Sequence, residues 1–431
     1  NYNRLKKHTS LVLWCGNNEN LAAWKRWGWE STAVKDQTQK VADKIWHHYD
    51  TLFHHILPKV VYENHPEHGF GRNNNWTDYW SSSPSAKEGI AESYKTGDTH
   101  YWGVWWGKEP FENYNTKISS FMSEYGFQSF PEYSTFKQFA KQKDEDIYSE
   151  VMKSHQRSSI GNATIEEYMS REFKNPKDFK SLLYLSQILQ SDGIRTAIEA
   201  HRRNKRQCMG SLYWQLNDCW PGASWSSIDY YGKWKALHYN IKKAFSPVII
   251  SHEFRDSSLN VIVVSDLKEG VECEVEIKLL GFKSEVPIKK WSEKYQIKPF
   301  KSLTVKSLPK EELNVNKKNT YIQLILKNNG KIISSKNIFF LPYKELNISK
   351  PNLTFQLNVD SSLNKLYVNV KTNYFAKGVY ISSSSKLNFS ENYFDLGANQ
   401  EKMVSIDLLP TENLDSMINS IKLFSTWSSI H

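Results

Sequence analysis

The sequence predicts a multidomain protein in which an α/β segment is followed by two all-β domains. Its 431 residues are too many for one hydrophobic core, and the pattern changes after Ser246-Pro247. Before that point, short apolar strands alternate with longer helical stretches, as in parallel β/α units. After it, alternating strands separated by polar turns dominate, which is typical of β-sandwiches. We therefore predict domains at 1–247, 248–345 and 346–431.

The α/β segment is predicted from its apolar periodicity. Strands are expected at Leu11–Gly16, Asp78–Ser82, Asp98–Trp102, Ser119–Glu124 and Met209–Gln215. The clearest helices are expected at Ala33–Tyr49, Thr135–Lys141 and Asp178–Arg203.

The two all-β domains are predicted from strands that recur between Lys, Asn and Ser turns. The first contains Leu259–Ser265, Val271–Leu280, Tyr321–Leu326 and Lys331–Phe340. The second contains Leu366–Thr372, Gly378–Ser382, Met403–Leu409 and Ser420–Trp427. Neither domain carries a cluster of catalytic residue types, so structural roles are expected for both.

Two predicted strands each lead into a glutamate, Glu19 and Glu124. A carboxylate among aromatic residues at the end of a buried strand costs desolvation energy, and such groups concentrate at functional sites. Glycoside hydrolysis requires a carboxylic acid and a carboxylate that face each other across a sugar bond. Either glutamate alone is equally compatible with a solvated loop residue, but the pair favours this chemistry.

Composition narrows the class of partner. The aromatic content of 14%, with 16 Trp and 23 Tyr, suits a site where rings stack on sugars, and it also suits ordinary cores. The net charge of +10 is dispersed without a basic stripe interleaved with aromatics, which argues against a nucleic-acid partner. No apolar run is long enough to span a membrane.

Neither a metal nor another cofactor is expected. The four cysteines are scattered, which indicates neither a disulfide framework nor a zinc site. The pairs His47-His48 and His54-His55 lie in a helix-like stretch without an evident further ligand.

Four segments together resemble the β-mannosidases of glycoside hydrolase family 2. They are Leu13-Trp-Cys-Gly-Asn-Asn-Glu19, Ser123-Glu-Tyr-Gly-Phe-Gln-Ser-Phe-Pro131, Gly210-Ser-Leu-Tyr-Trp-Gln-Leu-Asn-Asp-Cys-Trp-Pro221 and Ser224-Trp-Ser-Ser-Ile-Asp-Tyr-Tyr-Gly-Lys-Trp-Lys-Ala-Leu-His238. The resemblance implies the last five strands of a TIM (β/α)8 barrel followed by two immunoglobulin-like β-sandwiches. The related β-galactosidases and β-glucuronidases tend to have a Gly-Asn-Glu run without the Cys-Gly-Asn-Asn setting, which favours mannose.

The resemblance also implies a role for each glutamate. Glu19, at the end of the fourth barrel strand, would be the general acid/base, and Glu124, at the end of the seventh, would be the nucleophile. Active sites of such barrels lie at the carboxyl ends of the strands. A retaining exo-hydrolase would follow, with carboxyl groups about 5–5.5 Å apart and a raised pKa at Glu19.

Further substrate-binding residues follow from the same resemblance. Asn18 would bind the sugar 2-hydroxyl, and His100 would contribute a hydrogen bond near the nucleophile, although a buried structural histidine is equally compatible. Aromatic side chains expected around the terminal mannose, each of which could instead pack in a core, are Trp27, Trp102, Trp106 and Trp214. Relatives often place a tyrosine near the nucleophile, but Tyr101 is not assigned that role here because alternation along the strand could point its side chain away.

Two alternatives remain at this stage: another family 2 exo-glycosidase of the β-galactosidase or β-glucuronidase type, and an inactive fragment or carbohydrate-binding module. The expected partners are a β-mannoside oligosaccharide or glycan and the missing N-terminal domains of the same polypeptide. By analogy with the family, a bacterial periplasmic or secreted location is favoured.

Overall fold

The structure is a computed structural model that describes residues 1–64, 79–85, 94–313, 315–385, 387–410 and 413–431. The chain divides into two compact units. The first comprises Asn1–Trp102, Thr116–Tyr125 and Arg206–Tyr213; the second comprises Gly103–Asn115, Gly126–Lys205 and Trp214–His431. Within the described ranges, every helix is too short or too polar to cross a membrane.

In its described residues, the first unit contains five short strands in two parallel sheets. They are β1 (Trp14–Cys15), β2 (Tyr79–Trp80), β3 (Thr99–His100), β4 (Phe121–Glu124) and β5 (Gly210–Ser211). β1 pairs with β2, and β4 lies between β3 and β5. All five predicted strand positions are confirmed, but the strands are shorter than expected, and Asp78 lies outside the described residues. A closed barrel stays a prediction.

Two glycines let the chain pack closely around these strands. A Cβ atom on Gly16 would lie 2.3 Å from the Tyr79 hydroxyl oxygen, and one on Gly210 would lie 1.7 Å from the Phe121 ring. Any larger residue at either position would force neighbouring segments apart.

The helices of the first unit precede β2. They are α1 (Tyr2–Leu5), α2 (Asn20–Arg26), α3 (Trp29–Asp36), α4 (Gln39–Asp50) and α5 (Leu57–Asn64), with a π-helical segment, Thr51–Ile56, between the last two. The prediction of one helix over Ala33–Tyr49 is wrong. The Thr38 hydroxyl accepts a hydrogen bond from the Val41 amide (3.3 Å) and starts a new helix there.

An apolar stripe is exposed along the α4–α5 segment. Its side chains recur at helical spacing and are each at least 36% exposed: Val41, Ile45, Leu52, Ile56 and Val60. A single exposed apolar residue is ordinary, but a continuous stripe is the kind of surface that another part of a protein covers.

The second unit begins with helices α6 (Tyr133–Phe139), α7 (Glu150–Ser154), α8 (Gly161–Glu172), α9 (Phe179–Arg203) and α10 (Ala236–Ala244). The long helix predicted at Asp178–Arg203 is confirmed as α9, and the Asp178 carboxylate caps it by accepting from the Ser181 amide (2.8 Å). The helix predicted at Thr135–Lys141 begins two residues earlier, as α6.

Two antiparallel β-sandwiches complete the second unit. The first consists of β6 (Val248–Arg255), β7 (Ser258–Ser265), β8 (Val271–Gly281), β9 (Lys289–Ile297), β10 (Ser302–Pro309), β11 (Thr320–Asn328) and β12 (Lys331–Ile338). Its sheets run β10-β7-β6 and β12-β11-β8-β9 around a shared apolar core. All four predicted strands are confirmed, whereas β6, β9 and β10 were not predicted.

The second sandwich consists of β13 (Thr354–Asp360), β14 (Lys365–Lys371), β15 (Ala376–Ser382), β16 (Phe394–Leu396), β17 (Glu401–Asp407) and β18 (Lys422–Phe424), with α11 (Leu414–Ser420) and α12 (Thr426–Ile430). The strand predicted over Ser420–Trp427 is wrong at both ends. Only β18 is extended there, because α11 ends at Ser420 and the Ser425 hydroxyl accepts from the Ser428 amide to begin α12.

Helix α9 forms ion pairs with both sandwiches. Glu199 pairs with Lys336 of β12, and Asp192 pairs with Lys377 of β15 (2.9 Å). Burial alone would raise the Glu199 pKa, but Lys336 and Arg195 outweigh it and hold that pKa well below its usual range. These pairs line a polar cavity of about 600 Å³.

Candidate active site

Glu19 occupies an unusual backbone position directly before α2. Its φ of 58° and ψ of 2° lie in the left-handed region, which costs a non-glycine residue roughly 1–2 kcal/mol. Its amide donates to the Ser83 carbonyl (2.7 Å), and its carbonyl accepts from the Ala23 amide (2.8 Å). Backbone strain that neighbouring contacts hold in place is typical of functional sites.

Asn17 holds the loop that carries Glu19. Its side-chain oxygen accepts from the Asn20 amide (3.1 Å) and the Ser82 hydroxyl (2.9 Å), while its NH2 group donates to the Ser81 carbonyl (2.7 Å). Asn18, the predicted ligand of the sugar 2-hydroxyl, is exposed. The two adjacent asparagines therefore differ, since Asn17 braces the loop and Asn18 faces solvent.

Glu124 ends β4 and is 7% exposed. The Trp102 indole nitrogen donates a hydrogen bond to Glu124 Oε1 (3.1 Å). Trp102 was predicted only as an aromatic wall for the sugar, so this contact was missed. Tyr101 is buried, and its backbone amide donates to the Glu124 carbonyl (2.8 Å).

His100 lies between the two carboxylates. Its Nδ1 atom is 2.7 Å from Glu19 Oε1 and 3.5 Å from Glu124 Oε2, and its side chain is 2% exposed. The prediction of a hydrogen-bonding histidine near Glu124 therefore understated its position, because its shorter contact is with Glu19. One ring nitrogen thus faces both candidate catalytic groups.

The other ring nitrogen faces a serine and an aspartate that sequence reasoning missed. His100 Nε2 is 2.9 Å from Ser83 Oγ, and that hydroxyl is 2.6 Å from Asp98 Oδ2. Ser123 Oγ also donates to Asp98 Oδ2 (2.5 Å), and the Ser85 amide donates to Oδ1 (2.6 Å). The available signal was an aspartate at the start of a buried strand, two residues before His100.

The pKa values of the acidic groups diverge. Burial, reinforced by Glu19, raises the pKa of Glu124 to about 7, against the opposing effects of His100 and the Trp102 hydrogen bond. Burial alone would also raise the Asp98 pKa, but the hydrogen bonds from Ser123, Ser83 and Ser85 outweigh it and lower that pKa. Asp98 is thus held ionised, while Glu124 titrates near neutrality.

Glu19, His100 and Glu124 are also of the residue types that bind metal ions. Within the part of the chain that the structure describes, Glu19, His100 and Glu124 form the one group of at least three acidic, histidine or cysteine residues, with ligand atoms within 4.8 Å of one another. Two ligands of a tetrahedral zinc ion, each about 2.1 Å from it, lie about 3.4 Å apart. The 2.7 Å contact between His100 and Glu19 is shorter and fits a direct hydrogen bond.

The remaining predicted site residues fall in different places. Trp27 lies at the end of α2 in the first unit and is 54% exposed. Trp106 and Trp214 belong to the second unit, where they are 51% and 40% exposed. The structure therefore brings together Glu19, Glu124, His100 and Trp102.

Two family models match the sandwich region. The "Mannosidase Ig/CBM-like domain" matches residues 257–345, and an "Ig-fold domain" of mannosidases matches residues 348–429. The two sandwiches are therefore immunoglobulin-like, as expected.

Curated relatives that match a longer part of the chain than the two domain models are also mannosidases. A goat β-mannosidase is 28% identical in an alignment 423 residues long, which covers 91% of this chain and 46% of the relative. A mouse β-mannosidase is 30% identical over 66% of this chain and 33% of its own length, and β-mannosidase B of Emericella nidulans is 29% identical over 67% and 35%. The chain spans about half the length of the first of these relatives.

Solved structures agree. The β-D-mannosidase of Dictyoglomus thermophilum matches 98% of this chain and 49% of its own, with a TM-score of 0.83 and 28% identity. An exo-chitosanase of Amycolatopsis orientalis matches 81% of this chain with a TM-score of 0.58, but at 14% identity it indicates a shared fold alone. The relatives and the solved structure that this chain resembles over most of its length are glycoside hydrolases. Among these enzymes, the chain is similar to the β-mannosidases, and its two sandwiches match domain models of mannosidases.

The raised pKa of Glu124 predicts a pH-dependent loss of stability. Because the folded state binds this proton more tightly than the unfolded chain, the stabilisation is complete below about pH 4 and is lost as the pH rises through about 7. Glu124→Gln should remove this dependence. Between pH 5 and pH 8, urea unfolding should show wild type losing about 2 kcal/mol more than the variant.

Glu30→Gln is the control for this comparison because it removes an exposed carboxyl group elsewhere in the same unit. If the stability of wild type and that of Glu124→Gln changed with pH in the same way, the raised pKa of Glu124 would be contradicted.

Proposed function

We propose that this chain supplies both catalytic carboxylates of a retaining exo-β-mannosidase, with Glu19 as the general acid/base and Glu124 as the nucleophile. The observation that carries the proposal is the Glu19–His100–Glu124 cluster, in which an oxygen of each glutamate lies within 4.8 Å of the other. Inverting enzymes need about 6.5 Å or more between carboxyl groups to admit a water molecule, whereas retaining enzymes need about 5–5.5 Å.

In the first step, Glu124 attacks the anomeric carbon of the terminal mannose from the face opposite the leaving group. The bond from that carbon to the glycosidic oxygen breaks, and its electron pair stays on the oxygen, which takes a proton from Glu19. The hydrogen bond from Trp102 holds Glu124 Oε1 (3.1 Å), which leaves Oε2 to attack. The product is a mannosyl ester on Glu124.

In the second step, Glu19 is a carboxylate and removes a proton from water as that water attacks the anomeric carbon. The ester bond breaks and Glu124 is restored as a carboxylate. The two inversions leave the sugar with its original configuration. The cycle needs one proton, which Glu19 holds at the start, and an ionised Glu124.

The choice of mannose is supported by the comparisons, since the relatives that match most of the chain are named β-mannosidases. We propose Asn18, Trp27, Trp106 and Trp214 as substrate contacts. A β-galactosidase or β-glucuronidase activity is the alternative within the same family.

Trapping with azide tests the two catalytic roles separately. Glu124→Ala should lower kcat by on the order of 10³-fold or more, and azide should restore turnover by attacking from the opposite face, giving the α-mannosyl azide. Glu19→Ala should accumulate the ester from an activated substrate, so azide should give the β-mannosyl azide. The variants are made in the protein encoded by the full reading frame, and NMR of the glycosyl azides that they form distinguishes the two anomers. Azides of the reverse configurations would overturn the assignment.

A sugar panel tests the specificity. With one common nitrophenyl leaving group, kcat/KM for the β-mannoside should exceed that for the β-galactoside and β-glucuronide by about 10²-fold, because a site that hydrogen-bonds one pattern of hydroxyls leaves polar groups unpaired with another. Preference for either of the other sugars would replace mannose in the proposal.

We further propose that the activity belongs to a longer polypeptide, in which residues 1–247 are the C-terminal part of a TIM-barrel domain and 248–345 and 346–431 are separate sandwich domains. The proposal is supported by the relatives' length and by the apolar stripe on α4–α5. The matched family models also end and begin near the proposed boundary at 345.

This division predicts that the 431-residue chain alone is poorly active. Without the rest of a barrel, the Glu19 loop and β4 are not held in register, and small displacements cost about 10²-fold. The kcat/KM of the 431-residue chain should therefore be at least about 10²-fold below that of the full reading frame. Equal activity in the two proteins would contradict the need for further domains.

A further inference from the structure

We propose that Asp98, acting through Ser83, is a positioning residue that keeps a transferable proton between His100 and Glu19. The inference rests on the proposed function, in which Glu19 must give a proton to a leaving group. It depends on the direction of each hydrogen bond in the series Asp98–Ser83–His100–Glu19. All four residues belong to the first unit.

The series begins with an ionised aspartate. Asp98 is 1% exposed, and its two oxygens accept from the Ser83 and Ser123 hydroxyls and from the Ser85 amide. An ionised carboxylate has lone pairs only and cannot donate. Each short contact to Asp98 therefore contains a hydrogen that the neighbouring group supplies.

This fixes the direction of the Ser83 hydroxyl. A serine has one hydrogen, and the 2.6 Å contact to Asp98 Oδ2 uses it. Toward His100 the Ser83 oxygen can then only accept, so the 2.9 Å contact requires a hydrogen on His100 Nε2. The tautomer of the ring is thereby set from the side away from the substrate.

The fixed hydrogen on Nε2 decides what Nδ1 can do. A proton on Nδ1 can leave, because it leaves a neutral imidazole behind. With the opposite tautomer, the hydrogen on Nδ1 would be the last on the ring, and its loss would create an imidazolate. The proton in the 2.7 Å contact between Nδ1 and Glu19 Oε1 can therefore be transferred when Nε2 carries its own hydrogen. It cannot be transferred when Nδ1 carries the last hydrogen on the ring.

In the reaction, the proton between His100 and Glu19 passes to the glycosidic oxygen as the bond from that oxygen to the anomeric carbon breaks. If the proton starts on Nδ1, it moves to Glu19 and from Glu19 to the glycosidic oxygen, which leaves a neutral imidazole and a Glu19 carboxylate. The total charge is conserved at each transfer. When Glu19 later removes a proton from water, the original state returns.

The charges that face His100 come from several elements. Glu19 precedes α2, Glu124 ends β4, and Asp98, which immediately precedes β3, lies 4.0 Å from Nε2. Cys15 of β1 is also close enough to Asp98 to be affected by its charge. Burial and, to a smaller extent, the Asp98 charge raise the pKa of the Cys15 thiol to about 11, so this thiol is neutral at ordinary pH.

The test is how kcat/KM of the Asp98→Asn variant, made in the protein encoded by the full reading frame, depends on the leaving group of the substrate. Its amide can donate to Ser83, which then turns its hydrogen toward Nε2 and locks the proton on Nδ1. A poor leaving group such as an alkyl mannoside should lose about 10²–10³-fold in kcat/KM, as expected when general-acid catalysis is lost. A dinitrophenyl mannoside, which needs no proton, should stay within a few-fold of wild type.

Glu30→Gln is the control. It removes an exposed carboxyl group elsewhere in the same unit and leaves the series to His100 intact, so it should keep the wild-type ratio between the two substrates. Ser83→Ala interrupts the series directly and should change the ratio as Asp98→Asn does. An equal loss on both substrates in Asp98→Asn and Ser83→Ala would indicate a merely structural role and overturn the proposal.

Histidine ¹⁵N NMR of the same proteins separates this inference from the proposed function. The His100 signal, assigned by its absence in His100→Gln, should report a hydrogen on Nε2 in wild type and on Nδ1 alone in Asp98→Asn. If wild type hydrolyses no glycoside, the proposed function fails while this tautomer measurement still decides the hydrogen-bond series. An unchanged tautomer in Asp98→Asn would overturn the inference even in an active enzyme.

Discussion

The contact of His100 with Glu19 and Glu124 is the interaction on which the candidate site depends. Two carboxylates so close together repel each other, and burial penalises the charge on each. A ring nitrogen 2.7 Å from one and 3.5 Å from the other offsets part of that repulsion. The histidine can do so only because its other nitrogen is held by Ser83, so the stability of the pair and its chemistry depend on the same ring orientation.

That geometry is assembled from short segments far apart in the chain. β3 and β4 bring His100 and Glu124 together as parallel neighbours, whereas Glu19 reaches the cluster through a loop that hydrogen bonds hold in a left-handed turn. The Ser83 carbonyl fixes the Glu19 amide and the Ser83 hydroxyl contacts His100. One residue therefore sets both the backbone of one carboxylate and the ring beside it.

Sequence reasoning located the five parallel strands, α9 and the two glutamates, because apolar periodicity and strand-terminal carboxylates are local signals. It missed the break at Thr38 and the helix at Ser425, where a single capping hydroxyl overrides the wider pattern. It also missed Asp98 and Ser83, since their importance lies in which hydroxyl faces which nitrogen across the fold. Trp102 was recognised by its ring, but its indole N–H contact depends on a side-chain direction that the sequence does not encode locally.

The ion pairs of α9 constrain how this part of the protein can change. Asp192 and Glu199 are about two helical turns apart, so they project from one face of the helix and reach Lys377 and Lys336 in different sandwiches. Insertion of one residue between them would rotate one acid by about 100° relative to the other and leave a buried charge without its partner. The number of residues between Asp192 and Glu199 is therefore fixed by the two ion pairs. Insertions and deletions in similar proteins should lie in loops outside this part of the helix.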